Sequence, residues 1–123
     1  MKLHSSTADG MNAITAYGPG YIAVNGHSLT QSFLLLPQRV LEHWGPTGFD
    51  TLNEAHIQAI TELGCPIVLL GTGLRQRFPH PSLLRTAMQQ GIGVEVMDSF
   101  AACRTYNILM AEGRVVAAAL IVE

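Results

Sequence analysis

Charge is what this chain has least of. Of its 123 residues only 13% are Asp, Glu, Lys or Arg, about half the ~25% share of an average soluble domain. Seven Lys and Arg stand against nine Asp and Glu, and Lys2 is the only lysine. A net charge of −2 without a basic cluster argues against a nucleic-acid binder, which usually presents a positive face to phosphates. Cysteine is equally sparse. Cys65 and Cys103 form no C-x-x-C pair, so neither a disulfide scaffold nor a spaced zinc set is written here, and two thiols in an apolar-rich chain point to a reducing compartment. Long apolar runs are missing too. The longest, Val115 to Val122, has eight residues, well short of the about 20 a spanning helix needs. Residues 1–9 carry neither a hydrophobic signal core nor an Arg-rich amphipathic pattern. The expectation is a soluble cytoplasmic protein with no membrane insertion and no nucleic-acid partner.

What is abundant is apolar side chain, at 48% of residues. A chain of this length forms one domain and hides roughly two-thirds of its unfolded surface. So little charge on so small a body leaves two options. Part of the surface is covered by a protein partner or a second copy in a homo-oligomer, or a monomer solvates itself with Ser, Thr, Asn and Gln.

The two halves differ in texture. Residues 1–12 are polar and expected to be loosely held. Ile14–Tyr17 and Tyr21–Val24 read as strands about the Gly18-Pro19-Gly20 turn. Asn25-Gly26, the favoured two-residue hairpin turn, leads into a strand Ser28–Leu36, and Arg39–Trp44 adds another beyond Pro37. This half predicts an antiparallel meander. From Thr51 the period lengthens: Leu52, Ala55, Ala59, Ile60 and Leu63 share a helical face, Thr51 with Glu54 matches a capping box, and Gly64 stops the helix. An apolar strand Ile67–Leu70 follows, then a helix opened by Pro81 and closed by Gly91, a strand Ile92–Met97, a helix capped by Asp98 or Ser99, and a final strand Val115–Val122. Strands alternating with helices of this length predict βαβ units and a partly parallel central sheet, apolar on both faces.

Candidate site residues gather at the carboxyl ends of those strands, where open α/β sheets bind ligands. Gly71-Thr72-Gly73, with Arg75 and Arg77 behind it, can turn backbone N–H groups toward an anion. It is no P-loop, since no Gly-Lys-Ser/Thr follows, and no dinucleotide fingerprint, since Gln76 stands where a third glycine belongs. The alternative is a tight turn with both arginines in solvent. Asp98 and Ser99 lie past the next strand and either cap a helix or line the same crevice. Arg104 could add charge there, and Asn107, a poor mid-helix residue, could brace a loop. Cys103 has no base at helical spacing and reads as a small buried apolar residue, and Tyr106 as a core ring with its hydroxyl paired. Glu112 and Arg114 can form a surface pair about Gly113. His4, His27, His43, His56 and His80 show no ligand spacing, no Ser sits in a Gly-x-Ser-x-Gly elbow, and neither a catalytic set, a metal site nor a cofactor is expected.

Several motifs together carry a resemblance: Gly71-Thr72-Gly73 after an apolar strand, Gly91 through Asp98, Ala102-Cys-Arg-Thr-Tyr-Asn107, and Glu112-Gly-Arg-Val-Val-Ala117. The chain resembles a family of unknown function that includes the mitochondrial complex I assembly factor three and the adipogenesis-associated Mth938 domain-containing protein. It departs from the family pattern at Ser99, where Thr is usual. The lack of a targeting extension fits a bacterial cytosolic member. The resemblance implies a compact three-layer α/β fold with no established enzymatic activity or cofactor, and one branch implies assembly of a respiratory complex through protein contacts. Two functions from different classes stay open. One is a non-catalytic protein-binding or assembly module. The other is a small-molecule or anion binder, with or without enzymatic activity, that uses the crevice of Gly71, Thr72, Gly73, Arg75, Asp98, Ser99, Arg104 and Asn107.

Overall fold

Alternation of apolar side chains along three central strands organises the molecule. The structure is a computed structural model that describes residues 10–123. Strands β1 (Ile14–Gly18), β2 (Tyr21–Val24) and β3 (His27–Leu29) form an antiparallel sheet in sequence order. A second sheet runs β5-β4-β8-β6-β7, from β4 (Phe33–Leu36), β5 (Arg39–Leu41), β6 (Ile67–Gly71), β7 (Gly93–Met97) and β8 (Ala117–Leu120). Helices α1 (Glu54–Thr61), α2 (Pro81–Gln89) and α3 (Ser99–Ala111) complete it, with a 3-10 turn at Phe49–Thr51.

Strand β8 lies at the centre, antiparallel to β4 with Phe33 opposite Leu120, and parallel to β6 with Val68 opposite Ala117. Phe33, Leu35, Leu69, Ala118 and Leu120 point to one face, against α3 and the three-stranded sheet; Leu34, Val68, Leu70, Ala117 and Ala119 point to the other, against α1 and α2. These three layers are the α/β architecture expected. The parallel neighbours β6 and β7 send their outgoing helices to opposite faces, α2 to one and α3 to the other. A crossover that steps from β6 to β7 and another that steps back across β6 to β8 must use opposite faces if both keep the same hand.

Several local expectations are corrected. The first half is not one meander. The expected strand Ser28–Leu36 breaks at Thr30-Gln31-Ser32, and β4 leaves its sequence neighbour β3 to join the larger sheet. The last meander strand stops at Leu41, and Trp44 turns its indole into the core, donating from Nε1 to the His56 carbonyl at 3.0 Å. Thr51 does not cap α1. Asn53 does, accepting from the His56 N–H at 3.2 Å while its own N–H donates to His56 Nδ1 at 3.0 Å. Thr51 instead closes the preceding turn by donating to the Gly48 carbonyl. The buried face of α1 is Ile57, Ile60 and Thr61, whereas Ala55 is exposed, because starting the helix later keeps Leu52 outside it. Strand β7 starts at Gly93 rather than Ile92, and β8 spans Ala117–Leu120, leaving Val115 exposed.

The loose order expected of residues 1–12 falls largely on residues outside those described. Asn12 is tied down: its N–H donates to the Pro37 carbonyl at 2.7 Å, its side chain to the Leu36 carbonyl at 3.0 Å, and its own carbonyl accepts from Tyr106 at 2.7 Å. Among the described residues, no helix is long and apolar enough to cross a membrane.

Candidate functional site

The carboxyl ends of β6 and β7 do meet, as a parallel pair with outgoing helices on opposite faces must. The glycine loop and the start of α3 are joined there by a zipper of hydrogen bonds. Thr72 N–H donates to the Met97 carbonyl at 2.9 Å, Ser99 N–H to the Gly73 carbonyl at 2.8 Å, and Gly73 N–H to Ser99 Oγ at 2.8 Å. Ser99 Oγ in turn donates to the Ile121 carbonyl at 2.6 Å. Thr72 Oγ1 donates to the Arg75 carbonyl at 2.7 Å and accepts from the Arg77 N–H at 3.1 Å, which folds the loop back on itself. Thr72 and Ser99 are buried. The fit leaves no room for another side chain: a Cβ on Gly71 would lie 2.8 Å from Ser99 Cα. The space left between this seam and the three-stranded sheet is about 10 Å³, about the least that admits one water.

The Thr72 and Gly73 N–H groups are thus spent on Met97 and Ser99 rather than turned toward an anion, and a carboxylate of the chain itself lies beside the loop. Glu123, just beyond β8, takes Arg77 Nη2 at 2.7 and 2.9 Å on its two carboxylate oxygens, the Phe49 N–H at 3.1 Å and the Leu74 N–H at 3.4 Å. Arg77 also donates to the Thr72 carbonyl at 3.1 Å, and its guanidinium lies 4.7 Å from the Phe49 ring centre. Gly73 has φ +103°, and a Cβ there would collide with the Glu123 carboxylate. Both charged side chains stay about a quarter exposed. Partial burial opposes ionisation of Glu123, but the Phe49 amide, the Arg77 hydrogen bonds and charge, and the Leu74 amide outweigh it and hold the carboxyl below its ordinary value.

The other expected site residues part company here. Asp98 caps α3, accepting from the Ala101 N–H at 2.8 Å. Arg75 is exposed, and only its backbone serves the loop. Arg104 reaches the three-stranded sheet, donating to the Tyr17 hydroxyl at 2.9 Å beside the Tyr17–Phe100 stack. Asn107 braces a strand: Oδ1 accepts from the Ile14 N–H at 2.9 Å and Nδ2 donates to the Ile14 carbonyl at 2.8 Å. Cys103 and Tyr106 are fully buried. Burial pushes the Cys103 thiol up to about 12, with Asp98 adding to the shift and Arg104 opposing it. Burial also pushes the Tyr106 phenol up.

What sequence reasoning missed is Glu123. Two glycines and two arginines at 71–77 leave an anion site and a tight turn both open, and nothing local says that a carboxylate 46 residues beyond Arg77 pairs with that arginine. A second feature it missed lies at the opposite end of the large sheet. The β4–β5 turn, the end of α1 and the link from α3 to β8 enclose an open groove of about 400 Å³, floored by Met11, Leu36, Leu63, Met110 and Val115 and flanked by Arg39 and Arg114. Large apolar side chains are also exposed elsewhere, among them Phe78 at 74%.

The family model described as "Protein of unknown function (DUF498/DUF598)" matches residues 14–121. The NADH dehydrogenase (ubiquinone) 1 alpha subcomplex assembly factor 3 of Bos taurus is 38% identical over 110 residues, which are 88% of this chain and 59% of that protein. The chain thus spans about three-fifths of that relative's length. Among solved structures, the Xanthomonas campestris protein XCC1710 superposes with a TM-score of 0.82 at 42% identity, covering 99% of this chain and 92% of that one. A Mth938-like domain from Bordetella pertussis, solved in solution, superposes at 0.83 with 34% identity, covering 98% and 92%. The chain belongs to the DUF498/DUF598 family, and its fold is that of the Mth938-like domain.

Proposed function

We propose that this protein is a non-catalytic protein-binding module of the assembly-factor kind. The observation that carries the reading is apolar surface on a charge-poor chain: Leu74, Phe78, Met88, Ile108 and Val115 are each at least half exposed, and only 13% of residues are charged. Apolar residues scattered singly are ordinary, but an open groove with an apolar floor, to which the exposed Val115 belongs, is the kind of surface that meets partners. The name of the bovine relative supports the same reading, since an assembly factor acts through contacts with other proteins. Complex I itself as a client belongs to the proposal and not to the fold, because function resides on surfaces that a shared core does not dictate. The site geometry fits this reading as well. The crevice where related architectures hold small ligands is closed by the protein's own Ser99 and Glu123.

Affinity capture with the tagged full chain at native expression, after mild cross-linking, tests this. A reproducible partner at near-stoichiometric yield is the expected result. Recovery of background proteins alone, in repeated captures, overturns it.

A further inference from the structure

The groove at the end of the sheet opposite the Glu123 seam has a chemistry that narrows what can bind there. Its floor is apolar, with Leu36 and Leu63 partly exposed and Val115 largely so, and the partly exposed Met11 has the flexible, polarisable side chain that adapts to differently shaped apolar partners. Its charged lining is of one sign among the described residues: Arg39 and Arg114 border it, and no described carboxylate lines it. Both arginines are exposed, and neither forms an ion pair among the described residues. Arg suits such a position, being weakly hydrated and able to grip a carboxylate with two parallel hydrogen bonds. In a chain of net charge −2, two exposed arginines bordering an apolar floor run against the protein's general balance.

We infer that this groove docks a short amphipathic segment of a partner protein, one that places apolar side chains on the floor and acidic residues against Arg39 and Arg114. The inference rests on the protein-binding reading above and names its surface. The occupant's charge follows from complementarity: opposite potentials steer encounter and fix register, whereas a basic segment would meet like charge on both sides. Its mode is a side-chain-anchored segment lying in a groove. The contact is small beside a standard interface, which buries about 800 Å² per partner, so binding is weak and reversible.

The test uses the full chain, isotopically labelled, with two fluorescent synthetic peptides: one with leucines at helical spacing flanked by glutamates, the other identical but flanked by lysines. Fluorescence anisotropy should show saturable binding of the acidic peptide and at least tenfold weaker binding of the basic one. Amide shift changes should centre on Leu36–Arg39, Leu63 and Met110–Val115. The charge-reversed variant Arg39→Glu/Arg114→Glu, altered only at exposed positions, should invert the peptide preference while keeping the native circular dichroism spectrum. Equal affinity for both peptides, shift changes centred on Phe78 or Leu74 instead, or no saturable binding would overturn the proposal. So would sedimentation that shows a dimer which the charge-reversed variant dissociates, or displacement of the acidic peptide by decanoate at lower concentration. Capture from lysate separates the two readings. If the charge-reversed variant still recovers the wild-type partner, the groove assignment fails and protein binding stands; if the wild type recovers nothing, protein binding fails.

Discussion

Glu123 reaches Arg77 across the end of the sheet, with 2.7 Å between carboxylate and guanidinium. The same carboxylate accepts the backbone N–H groups of Phe49 and Leu74. One side chain therefore ties together the end of the central strand, the 3-10 turn and the glycine loop. Glu123→Gln keeps the size but removes the charge-assisted part of these bonds, and should cost about 1–2 kcal/mol in urea unfolding. Arg77→Lys should lose a similar amount, since an ammonium cannot reproduce the guanidinium's bonds to both Glu123 and Thr72.

Acid should weaken the fold in two stages. Burial lowers the pKa of His56 from 6.5, and its Nδ1 must be unprotonated to accept from Asn53 N–H. A folded pKa below the unfolded one means the unfolded state binds the proton more readily, so this contribution is complete above about 6.5 and declines as pH falls through the folded value. Glu123, lowered from its ordinary 4.5, has the same sign and acts lower, its contribution vanishing as pH falls below 4.5 through the folded value. Urea midpoints measured from pH 8 to pH 3 should fall in both windows. Glu123→Gln should flatten only the more acidic one, and His56→Gln only the milder one.

Removing Asn107 should be expensive for a half-buried polar residue. Its amide satisfies both the N–H and the C=O of Ile14, on a residue only 6% exposed. Asn107→Ala leaves both groups without a partner and should cost about 2–3 kcal/mol. Hydrogen exchange provides the specific readout: the Ile14 amide should lose protection far more than amides in β6. Equal loss throughout the sheet would mean that Asn107 contributes only to global stability.

Two glycines in adjacent strands should respond oppositely to alanine. At Gly71 the added Cβ would lie 2.8 Å from Ser99 Cα and 3.1 Å from Leu120. Overpacking of this kind costs about 1–3 kcal/mol, and here it would also part the seam between Ser99 and the loop. At Gly93 the nearest atom is the Pro66 carbonyl at 3.7 Å, and φ lies outside the left-handed range. Gly93→Ala should therefore be neutral, or stabilise by about 0.4–1 kcal/mol through the unfolded chain. Thermal melts of the two variants check the contrast.

Both thiols should be inert in the native protein. Cys103 is fully buried and its thiol is pushed up to about 12; Cys65 is buried and donates to the Ile67 carbonyl at 3.3 Å. Reaction with a disulfide reagent at pH 8 should be slow and accelerate only in denaturant. Rapid native labelling of either thiol would contradict this packing.

The parts of this molecule that sequence made legible are those whose signals are short-range. Ile67–Leu70 is apolar throughout and became the buried strand expected, and Asp98 caps α3 as its chemistry suggests. Short-range signals also misled. Thr51 and Glu54 match a capping box, yet Asn53 caps the helix because His56 can return its N–H bond through a ring nitrogen. Ser28–Leu36 looked like one strand because nothing nearby reveals that Phe33 pairs with Leu120. At the glycine loop the residues leave a tight turn and an anion site both open, and its proximity to Asp98 and Ser99 is expected only if β6 and β7 are neighbours, as they are. The pairing of Arg77 with Glu123 is not legible, since a lone glutamate far along the chain leaves no periodicity or spacing to read. Apolar grooves are harder still: Met11, Leu63 and Met110 lie on three separate segments, and only tertiary packing brings them together.

The position of β8 between β4 and β6 has a consequence for how this protein comes into being. Until that strand arrives, the β4–β5 hairpin and the β6–β7 pair share no backbone hydrogen bond. Each presents an unsatisfied, strongly apolar edge, and such edges invite pairing with other chains. During synthesis both wait for Ala117–Leu120, separated from β4 by more than eighty residues, and closing so long a loop is slow. On the ribosome, therefore, the middle of the sheet can be completed only last, and a nascent chain stalled before Ala117 leaves both of those edges unpaired.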